Sequence, residues 1–367
     1  MDGTALAAAL RYFPLTGRPR PLCPPLPDRV REISDIAQAA AKPAADILAE
    51  APHALNKAAL LASDCGLPEL SRNLCWVHIN IYRQRGQLTI PLARQMLEPV
   101  LNLARLAIRA QAPDTAVRLL DDIHQAVAAG ADLVIDGHTL PLANLTGTRD
   151  QYRKLREWVW LQYLSDGIRA HTLVGRWHEA VAHAEALRGI GAHLLEGRQA
   201  AIISRILSGE HQKARRLVDD TTITEPWEHH IAACLTLMTA DGPLTRDLTT
   251  TIAQEFLREQ PVSGYVVFRA RLGLAAASLT SDTDPATAET LISAITTEAI
   301  RPGDGYAARE ILRHPFVRES RHHGDLTRVV ATCGLGAGAL PTAMLDSLNE
   351  SVATARTMLA ARLSVRC

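Results

Sequence analysis

The chain has 367 residues, of which 47% are apolar and only 4% aromatic. Its 39 Lys and Arg residues equal its 39 Asp and Glu residues, so no net charge attracts it to nucleic acid or to an anionic membrane. No apolar stretch approaches the roughly 18 uninterrupted residues of a membrane span. Ala and Leu supply most of the apolar mass, and both lose little freedom in a helix. The composition therefore predicts an all-α protein and excludes direct nucleic-acid and membrane partners.

The cysteines and the first residues bear on the compartment and on metal binding. The six cysteines are Cys23, Cys65, Cys75, Cys234, Cys333 and Cys367. They form no C-x-x-C pair and no His/Cys ligand pattern, so we predict reduced thiols and neither a metal nor a cofactor. Asp2 stands where a secretory signal needs a basic region, and Arg11 interrupts the apolar run that follows. These features predict a cytoplasmic protein.

Proline and helical periodicity divide the chain into four predicted segments. Two proline-rich stretches, Arg18–Pro21 and Pro24–Pro27, exclude helix because proline fixes φ and lacks an amide donor. The last predicted helix, from Pro341 to about Leu363, carries an apolar stripe at three- and four-residue steps, as a helix that caps an array would. The segments are a Pro-rich N-terminal arm (1–27), N-terminal helical repeats (28–130), an insertion (131–147), and C-terminal helical repeats with the capping helix (148–367).

A six-residue turn motif recurs along the helical segments. Its copies are Gly66–Ser71, Gln111–Ala116, Gly175–Ala180, Gly209–Ala214 and, more weakly, Thr283–Ala288. Gly at the first position permits the left-handed end of one helix, and Pro at the third suits the first turn of the next. The small sixth residue lets the two helices approach closely. The motif predicts consecutive helical hairpins.

Two of these copies also share a period. The interval from Gly175 to Gly209 is repeated from Ala180 to Ala214, and it equals the tetratricopeptide period of about 34 residues. The segment Gly175–Ala180 resembles the turn of that family, with an aromatic residue at Trp177. The resemblance implies a divergent α-α superhelix, a solenoid of helical hairpins. The intervals between the other copies are longer and unequal, which leaves a more irregular helical bundle as the alternative.

The resemblance also bears on function. Helical arrays of this kind recognise a protein or peptide along a groove surface, where several shallow contacts add up. The high Ala, Arg and Leu usage resembles helical-repeat proteins of actinobacteria, in which such arrays often follow a DNA-binding helix-turn-helix. Here the N-terminal arm is Pro-rich and the next helices lack a basic recognition face. We therefore expect an adaptor, scaffold or regulator with a protein or peptide partner.

One segment interrupts the helical pattern. Asp136-Gly137 separates Leu133–Ile135 from His138–Leu140, a composition typical of a tight β-hairpin within the 131–147 insertion. The hairpin either packs as a ribbon over a helix pair or acts as a lid or partner-specific loop.

A basic patch is the most suggestive local feature. Seven basic residues occupy fifteen positions: Arg309, Arg313, His314, Arg318, Arg321, His322 and His323. Arg309 and Arg313 share a helix face, and their guanidinium groups suit a carboxylate or phosphate of a partner. The alternative is a solvated face neutralised by nearby acids, namely Glu310, Glu319 and Asp325.

The rare tryptophans support a rival function. Trp158, Trp160, Trp177 and Trp227 would line a pocket if the helices brought them together, as in a small-molecule-binding protein or a biosynthetic enzyme. No P-loop, Gly-x-Ser-x-Gly elbow or His-Glu-x-x-His motif is present, so no catalytic constellation is visible and any catalytic residue is unknown. The sequence leaves enzymatic activity undecided and favours a binding protein.

Overall fold

The computed structural model describes residues 3–240, 246–318 and 320–364; Asp2, Glu319 and Cys367 lie outside these ranges. The described residues form an all-α fold with a small β-hairpin insertion, as predicted. The elements in chain order are α1 (Gly3–Leu10), α2 (Leu26–Ala40), α3 (Ile47–Asp64), α4 (Pro68–Arg83), α5 (Ile90–Arg109), α6 (Pro113–Ala129), β1 (Leu133–Ile135), β2 (His138–Leu140), α7 (Arg149–Leu173), α8 (Trp177–Ala186), α9 (Glu196–Leu207), α10 (His211–Asp219), α11 (Pro226–Met238), α12 (Arg246–Arg258), α13 (Val266–Thr280), α14 (Pro285–Ile300), α15 (Gly305–Leu312), a 3-10 helix (Pro315–Val317), α16 (His323–Thr332) and α17 (Thr342–Ser364).

The turn motif keeps one geometry across its copies. In every copy the next helix begins at the third residue of the motif, which makes the starts of α4, α6, α8, α10 and α14 equivalent. The first residue has a positive φ in four copies, at Gly66, Gln111, Gly175 and Gly209. In these four, the second residue donates its backbone N–H to the carbonyl oxygen five residues earlier, as Leu67 does to Ala62 at 3.0 Å. This hydrogen bond closes the preceding helix in a Schellman arrangement.

The sixth residue of the motif is buried in every copy. These residues are Ser71, Ala116, Ala180, Ala214 and Ala288. Their small side chains allow the paired helices to approach, and the Ser71 hydroxyl donates to the carbonyl oxygen of Ala59 on α3 at 2.8 Å. Consecutive helices pack as hairpins: α3 with α4, α5 with α6, α9 with α10 and α13 with α14.

A further copy of the turn precedes α15 and was not predicted. Gly303 has a positive φ, and the N–H of Asp304 donates to the carbonyl oxygen of Ala299 at 3.0 Å. The sixth residue, Ala308, is fully buried. Gly303 and Ala308 have the spacing of the other copies, so the sequence already contained this signal.

The insertion forms the predicted hairpin. Strands β1 and β2 pair antiparallel with Leu133 opposite Leu140, and Asp136 and Gly137 both have positive φ, as a type I′ turn requires. Leu133 and Leu140 are buried, whereas Val134 between them is exposed. One face of the hairpin therefore packs on the protein and the other faces solvent.

The chain divides into two compact units, each built from two separated stretches. Unit 1 comprises Met1–Pro25 and His171–Cys333, and unit 2 comprises Leu26–Ala170 and Gly334–Cys367. Helix α7 passes from unit 2 into unit 1 near its end. The segment boundaries drawn from the sequence remain predictions.

In unit 2 the last helix completes the core begun by the first helices. Helix α17 packs against α2 and α3, and its apolar stripe joins their core cluster. An ion pair between Arg29 and Asp64, 2.6 Å from Nη2 to Oδ2, is buried between α2 and α3. The glycine-rich segment before α17 is also fixed, because the N–H groups of Gly336 and Gly338 donate to the carbonyl oxygens of Asp64 and Cys65.

In unit 1 helix α13 lies at the centre. Every residue from Phe268 to Thr280 except Arg271 is buried, and α13 packs against α1, α11, α12, α14 and α15. Gly273 permits the close approach of α14, since a Cβ atom there would lie 2.6 Å from the Ile295 side chain. Helix α1 also packs on α13 and was not predicted from the sequence.

Residues 11–25, here called the N-terminal strap, belong to unit 1 and form neither a helix nor a strand. Gln199 on α9 is fully buried and binds the strap backbone twice: its Oε1 accepts from the N–H of Leu15 at 2.7 Å, and its Nε2 donates to the carbonyl oxygen of Leu15 at 2.5 Å. Further along, Cys23 donates its N–H to the Asp304 carboxylate at 3.2 Å. The strap is therefore held through its backbone.

Candidate functional site

A polar cleft in unit 2 is the best-defined candidate site. It has a volume of about 190 Å³. Its lining residues are Asn56, Glu98, Leu101, Asn102, Arg105, Trp158 and Gln162. They belong to α3, α5 and α7, the alternate helices of this part of the chain, and none belongs to α4 or α6. We call this site the unit 2 cleft.

Arg105 organises the cleft. Its Nε donates to Asp166 at 2.9 Å and its Nη2 donates to the side-chain oxygen of Gln162 at 2.7 Å. Its Nη1 reaches the side-chain oxygen of Asn102 at 3.3 Å, and Asn102 in turn donates to Asn56 at 2.6 Å. One guanidinium group thus connects α5 to α7, and an amide pair extends the network to α3.

The cleft also contains a half-buried carboxyl group. Burial is the main influence on Glu98 and raises its pKa, while Arg94, Arg105 and His53 act in the opposite direction. Among the described residues Glu98 forms no ion pair. The guanidinium of Arg94 lies 5.0 Å from the centroid of the Trp158 ring. The cleft therefore combines a carboxyl group, carboxamides and an aromatic face.

The positions of these side chains follow the repeat. Two rows of residues contribute to the cleft and its surroundings, and within each row the residues follow one another at intervals of one helical turn. The rows are Arg94, Glu98 and Asn102 on α5, and Trp158, Gln162 and Asp166 on α7. Corresponding members of the two rows are separated by the same interval as the turn copies that begin at Gln111 and Gly175. Trp158 is the one lining residue that was predicted from the sequence. An alignment of the sequence on its turn motifs would have shown both polar rows.

The predicted arginine patch divides into two parts. Arg309 lies on α15 in unit 1, and Arg313 is the residue that follows the end of this helix. Arg313 forms an ion pair with Glu310 at 3.3 Å. Arg309 is half-buried, with its guanidinium 5.6 Å from the centroid of the Tyr306 ring. Glu310, an acid predicted to neutralise this face, therefore pairs with Arg313, whereas the cation of Arg309 lies near an aromatic ring.

The other two predicted arginines follow the 3-10 helix. The side chains of Arg318 and Arg321 are exposed, and Nε of Arg321 donates to the His322 ring at 3.2 Å. Asp325, a second acid predicted to neutralise the patch, pairs with Arg328 at 3.1 Å.

The four predicted tryptophans have separate surroundings. Trp158 and Trp160 are half-buried on α7 in unit 2, and only Trp158 lines the cleft. In unit 1 Trp177 is buried at the start of α8, while Trp227 packs edge-on against Phe268, with ring centroids 6.0 Å apart.

A larger and shallower depression lies in unit 1. Its volume is about 420 Å³, and its lining residues are His211, Gln212, Arg215, Arg216, Thr239 and Ala240. No Phe, Tyr or Trp side chain lines it among the described residues.

The buried thiols are not poised for nucleophilic chemistry. The five described cysteines are buried and form no disulfide. Burial raises the pKa of the Cys75 and Cys234 thiols to about 12, so neither is a thiolate near neutral pH.

Over residues 3–240, 246–318 and 320–364, no helix is both long and apolar enough to cross a membrane. In the same ranges no three His, Cys, Asp or Glu side chains are grouped so that they could hold a metal ion. No protein-family model, curated protein or solved structure matches the chain.

Proposed function

We propose that this protein is a peptide-recognition module that binds an extended segment of a partner protein in the unit 2 cleft. The observation that carries the proposal is the pair of side-chain rows on α5 and α7, connected by Arg105 and extended to α3 through Asn102 and Asn56. In arrays of helical hairpins, corresponding residues of consecutive hairpins lie side by side, so such rows can contact successive residues of an extended peptide.

The chemistry of the cleft suits a peptide backbone. A carboxamide offers both a donor and an acceptor, as does each residue of an extended chain. The protein already uses a carboxamide to bind a backbone in this way, because the Gln199 side chain binds both the N–H and the carbonyl oxygen of Leu15. Asn56, Asn102 and Gln162 bring three such groups to the cleft. Each of their oxygens already accepts one hydrogen bond and keeps a second lone pair, and among the described residues the amide nitrogens of Asn56 and Gln162 remain available as donors.

The size of the cleft also favours a peptide. Pockets for drug-sized small molecules enclose about 300 to 1,000 Å³. The unit 2 cleft, at about 190 Å³, is smaller and has room for one or two side chains of a longer ligand. Trp158 at its edge supplies a flat apolar surface of the kind that anchors interface side chains.

The proposed module is of the divergent tetratricopeptide type, as found in actinobacterial helical-repeat proteins, and acts as an adaptor, scaffold or regulator. The recurring turn, with its buried small residue, supports this assignment. The five described cysteines are buried and form no disulfide, as is typical of proteins in a reducing compartment, so we place the proposed module in the cytoplasm.

The rival function, a small-molecule site or enzyme with a tryptophan-lined pocket, has less support. Within each unit the tryptophans have different neighbours. The Ser204 hydroxyl lies 2.7 Å from Nδ1 of His178, but among the described residues no carboxylate orients this histidine, as a Ser–His nucleophile requires.

The test is a selection of random displayed peptides on the intact protein, followed by affinity measurement of the best binder. Trp158→Leu keeps an apolar side chain but removes the aromatic face, and we expect about tenfold weaker binding, a typical loss for a moderate interface contact. Arg118→Gln is the control, because Arg118 is exposed on α6, a helix that contributes no lining residue to the cleft. We expect it to bind as the wild type does.

Two results would contradict the proposal. One is a selection that yields no binder for the wild-type protein. The other is a binder whose affinity is the same for Trp158→Leu and wild type, because its site would then lie outside the unit 2 cleft.

A further inference from the structure

A second site of different chemistry lies in unit 1, around the ring of Tyr306. The guanidinium carbon of Arg20, on the N-terminal strap, is 3.8 Å from the centroid of this ring. The guanidinium carbon of Arg309, on α15, is 5.6 Å from the same centroid. Two positive charges are thus held at one aromatic ring by segments far apart in sequence.

Among the described residues, the arginines near this ring outnumber the carboxylates that pair with them. Glu310, one turn after Tyr306, is shared by Arg313 at 3.3 Å and Arg271 at 4.0 Å. Among the described residues Arg20 and Arg309 form no ion pair. In the described part of the chain, therefore, only Arg271 and Arg313 of these four arginines pair with a carboxylate. Arg20 interacts with the charge of Asp304 without forming an ion pair with it.

Asp304, the nearest other acid in sequence, is committed to the backbone. Its carboxylate accepts the N–H of Cys23 at 3.2 Å and the N–H of Tyr306 at 3.0 Å. It caps α15 and anchors the strap, and among the described residues it forms no ion pair.

Two donors in the described part of the cluster also make no hydrogen bond, although Nε of Arg271 lies 4.0 Å from the Glu310 carboxylate. The Nε atoms of Arg309 and Arg271 are buried, and neither makes a hydrogen bond among the described residues. A buried donor without an acceptor destabilises the fold, and two guanidinium groups at one ring repel each other. An anion that accepts from them would remove both penalties.

We propose that Arg20, Arg271 and Arg309 bind a phosphate monoester group. A phosphate presents three acceptor oxygens and nearly two negative charges, which match an excess of guanidinium groups better than the single charge of a carboxylate does. The planar guanidinium fork favours such bidentate contacts, and the Tyr306 ring holds the cations of Arg20 and Arg309 near one another in advance. This site is independent of the peptide cleft proposed for unit 2.

The group has two possible sources, a phosphorylated protein segment or a free phosphorylated metabolite. Inorganic phosphate tests the shared chemistry. A phosphoserine peptide with neutral flanking residues, compared with its unphosphorylated form, tests whether a protein segment adds to it. Tighter binding of the phosphopeptide than of inorganic phosphate identifies a protein segment, and equal binding identifies the phosphate group alone.

The experiment is a calorimetric titration of the full chain with inorganic phosphate, repeated for Arg20→Gln and Arg309→Gln. We expect binding that weakens as salt concentration rises, and about tenfold loss of affinity in each variant, since hydrogen bonds to a charged group have that effect. Thermal unfolding without phosphate checks that both variants are folded, and Arg20 is exposed enough to be replaced safely.

Arg215→Gln is the control for lost charge. Arg215 is on α10 in the same unit, pairs with Asp219 at 3.2 Å, and lies outside the cluster. Its replacement should leave phosphate affinity unchanged. Absence of phosphate binding to the wild-type protein, or an equal loss in Arg215→Gln, would overturn the proposal.

Discussion

The two units use the same kind of side chain in opposite ways. In unit 1 the carboxamide of Gln199 is fully buried because it binds the backbone of the N-terminal strap at Leu15. In unit 2 the carboxamides of Asn56 and Gln162 are half-buried and line a cleft open to solvent. A carboxamide on these helices can therefore either bind the chain's own strap, as Gln199 does, or remain partly open to solvent, where we propose that it binds another chain.

The largest expected effect is on the strap. Gln199→Leu leaves the N–H and carbonyl oxygen of Leu15 buried without partners, and we expect the free energy of unfolding to fall by about 3 kcal/mol. Chemical denaturation measures this loss, and proteolysis within residues 11–25 should become faster. Gln162→Leu, the equivalent change in the cleft, should cost less than about 1 kcal/mol because Gln162 is partly solvated. Equal losses of stability in the two variants would contradict the expected difference between the buried Gln199 and the partly solvated Gln162.

Acid should weaken unit 2 through His78. This side chain is buried and neither ring nitrogen has a hydrogen-bond partner among the described residues, so burial lowers its pKa from 6.5 to about 3. The folded state therefore favours the neutral form of His78, while the unfolded chain takes up a proton below pH 6.5. The free energy of unfolding is thus at its full value above pH 6.5 and decreases as the pH falls from 6.5 toward 3. At about pH 4.5 the loss should be on the order of 2.5 kcal/mol.

The variant that isolates this effect is His78→Leu. Denaturation at several pH values should show that it loses less stability between neutral and acidic pH than the wild type. The variant should keep some acid sensitivity, because His314 in unit 1 is unchanged and its pKa is lowered to about 4 by burial and by the charge of Arg11. Identical pH profiles for wild type and variant would show that His78 does not cause the acid sensitivity.

The repeated turn predicts similar costs of overpacking in both units. Leu at Ala180 or Ala214 in unit 1, or at Ala116 in unit 2, would enter a helix contact with no free space, and each should cost about 2 kcal/mol. Thermal unfolding of the single variants measures the cost. Ala182→Leu is the control, because Ala182 is exposed on α8. Full stability of the buried variants would count against the turn as the packing unit.

The smallest expected effect is on the hairpin. Val134 is 62% exposed and faces Thr139 across the strand pair. Val134→Thr should therefore change the free energy of unfolding by less than about 0.5 kcal/mol. Peptide affinity of the same variant distinguishes a ribbon from a lid: an unchanged affinity supports the ribbon, and a clear loss supports the lid.

Local features of the fold were predictable because their signals are local. The turns follow from Gly, Pro and a small residue at fixed spacing, and the hairpin follows from Asp136-Gly137 between short apolar runs. The packing of α17 against α2 and α3 was not predictable, because its apolar stripe indicates a buried face without indicating the partner. For the same reason the sequence did not show that each unit combines two distant stretches.

The candidate site was predictable only in part. Trp158 attracted attention because tryptophan is rare, but Glu98, Asn102 and Gln162 look like ordinary exposed helix residues until the chain is aligned on its turns. Gln199 left no signal at all, since a glutamine that binds a distant backbone has the same local sequence as one that faces water. Contacts between distant segments are decided by the tertiary fold.

The most direct test of the central claim is the affinity of the selected peptide for the double variant Asn56→Ala/Gln162→Ala. These changes remove two carboxamides of the unit 2 cleft while leaving the ion pair of Arg105 and Asp166 intact. We predict at least about tenfold weaker binding with an unchanged free energy of unfolding of unit 1. Wild-type affinity in this variant would contradict the assignment of the cleft as the peptide site.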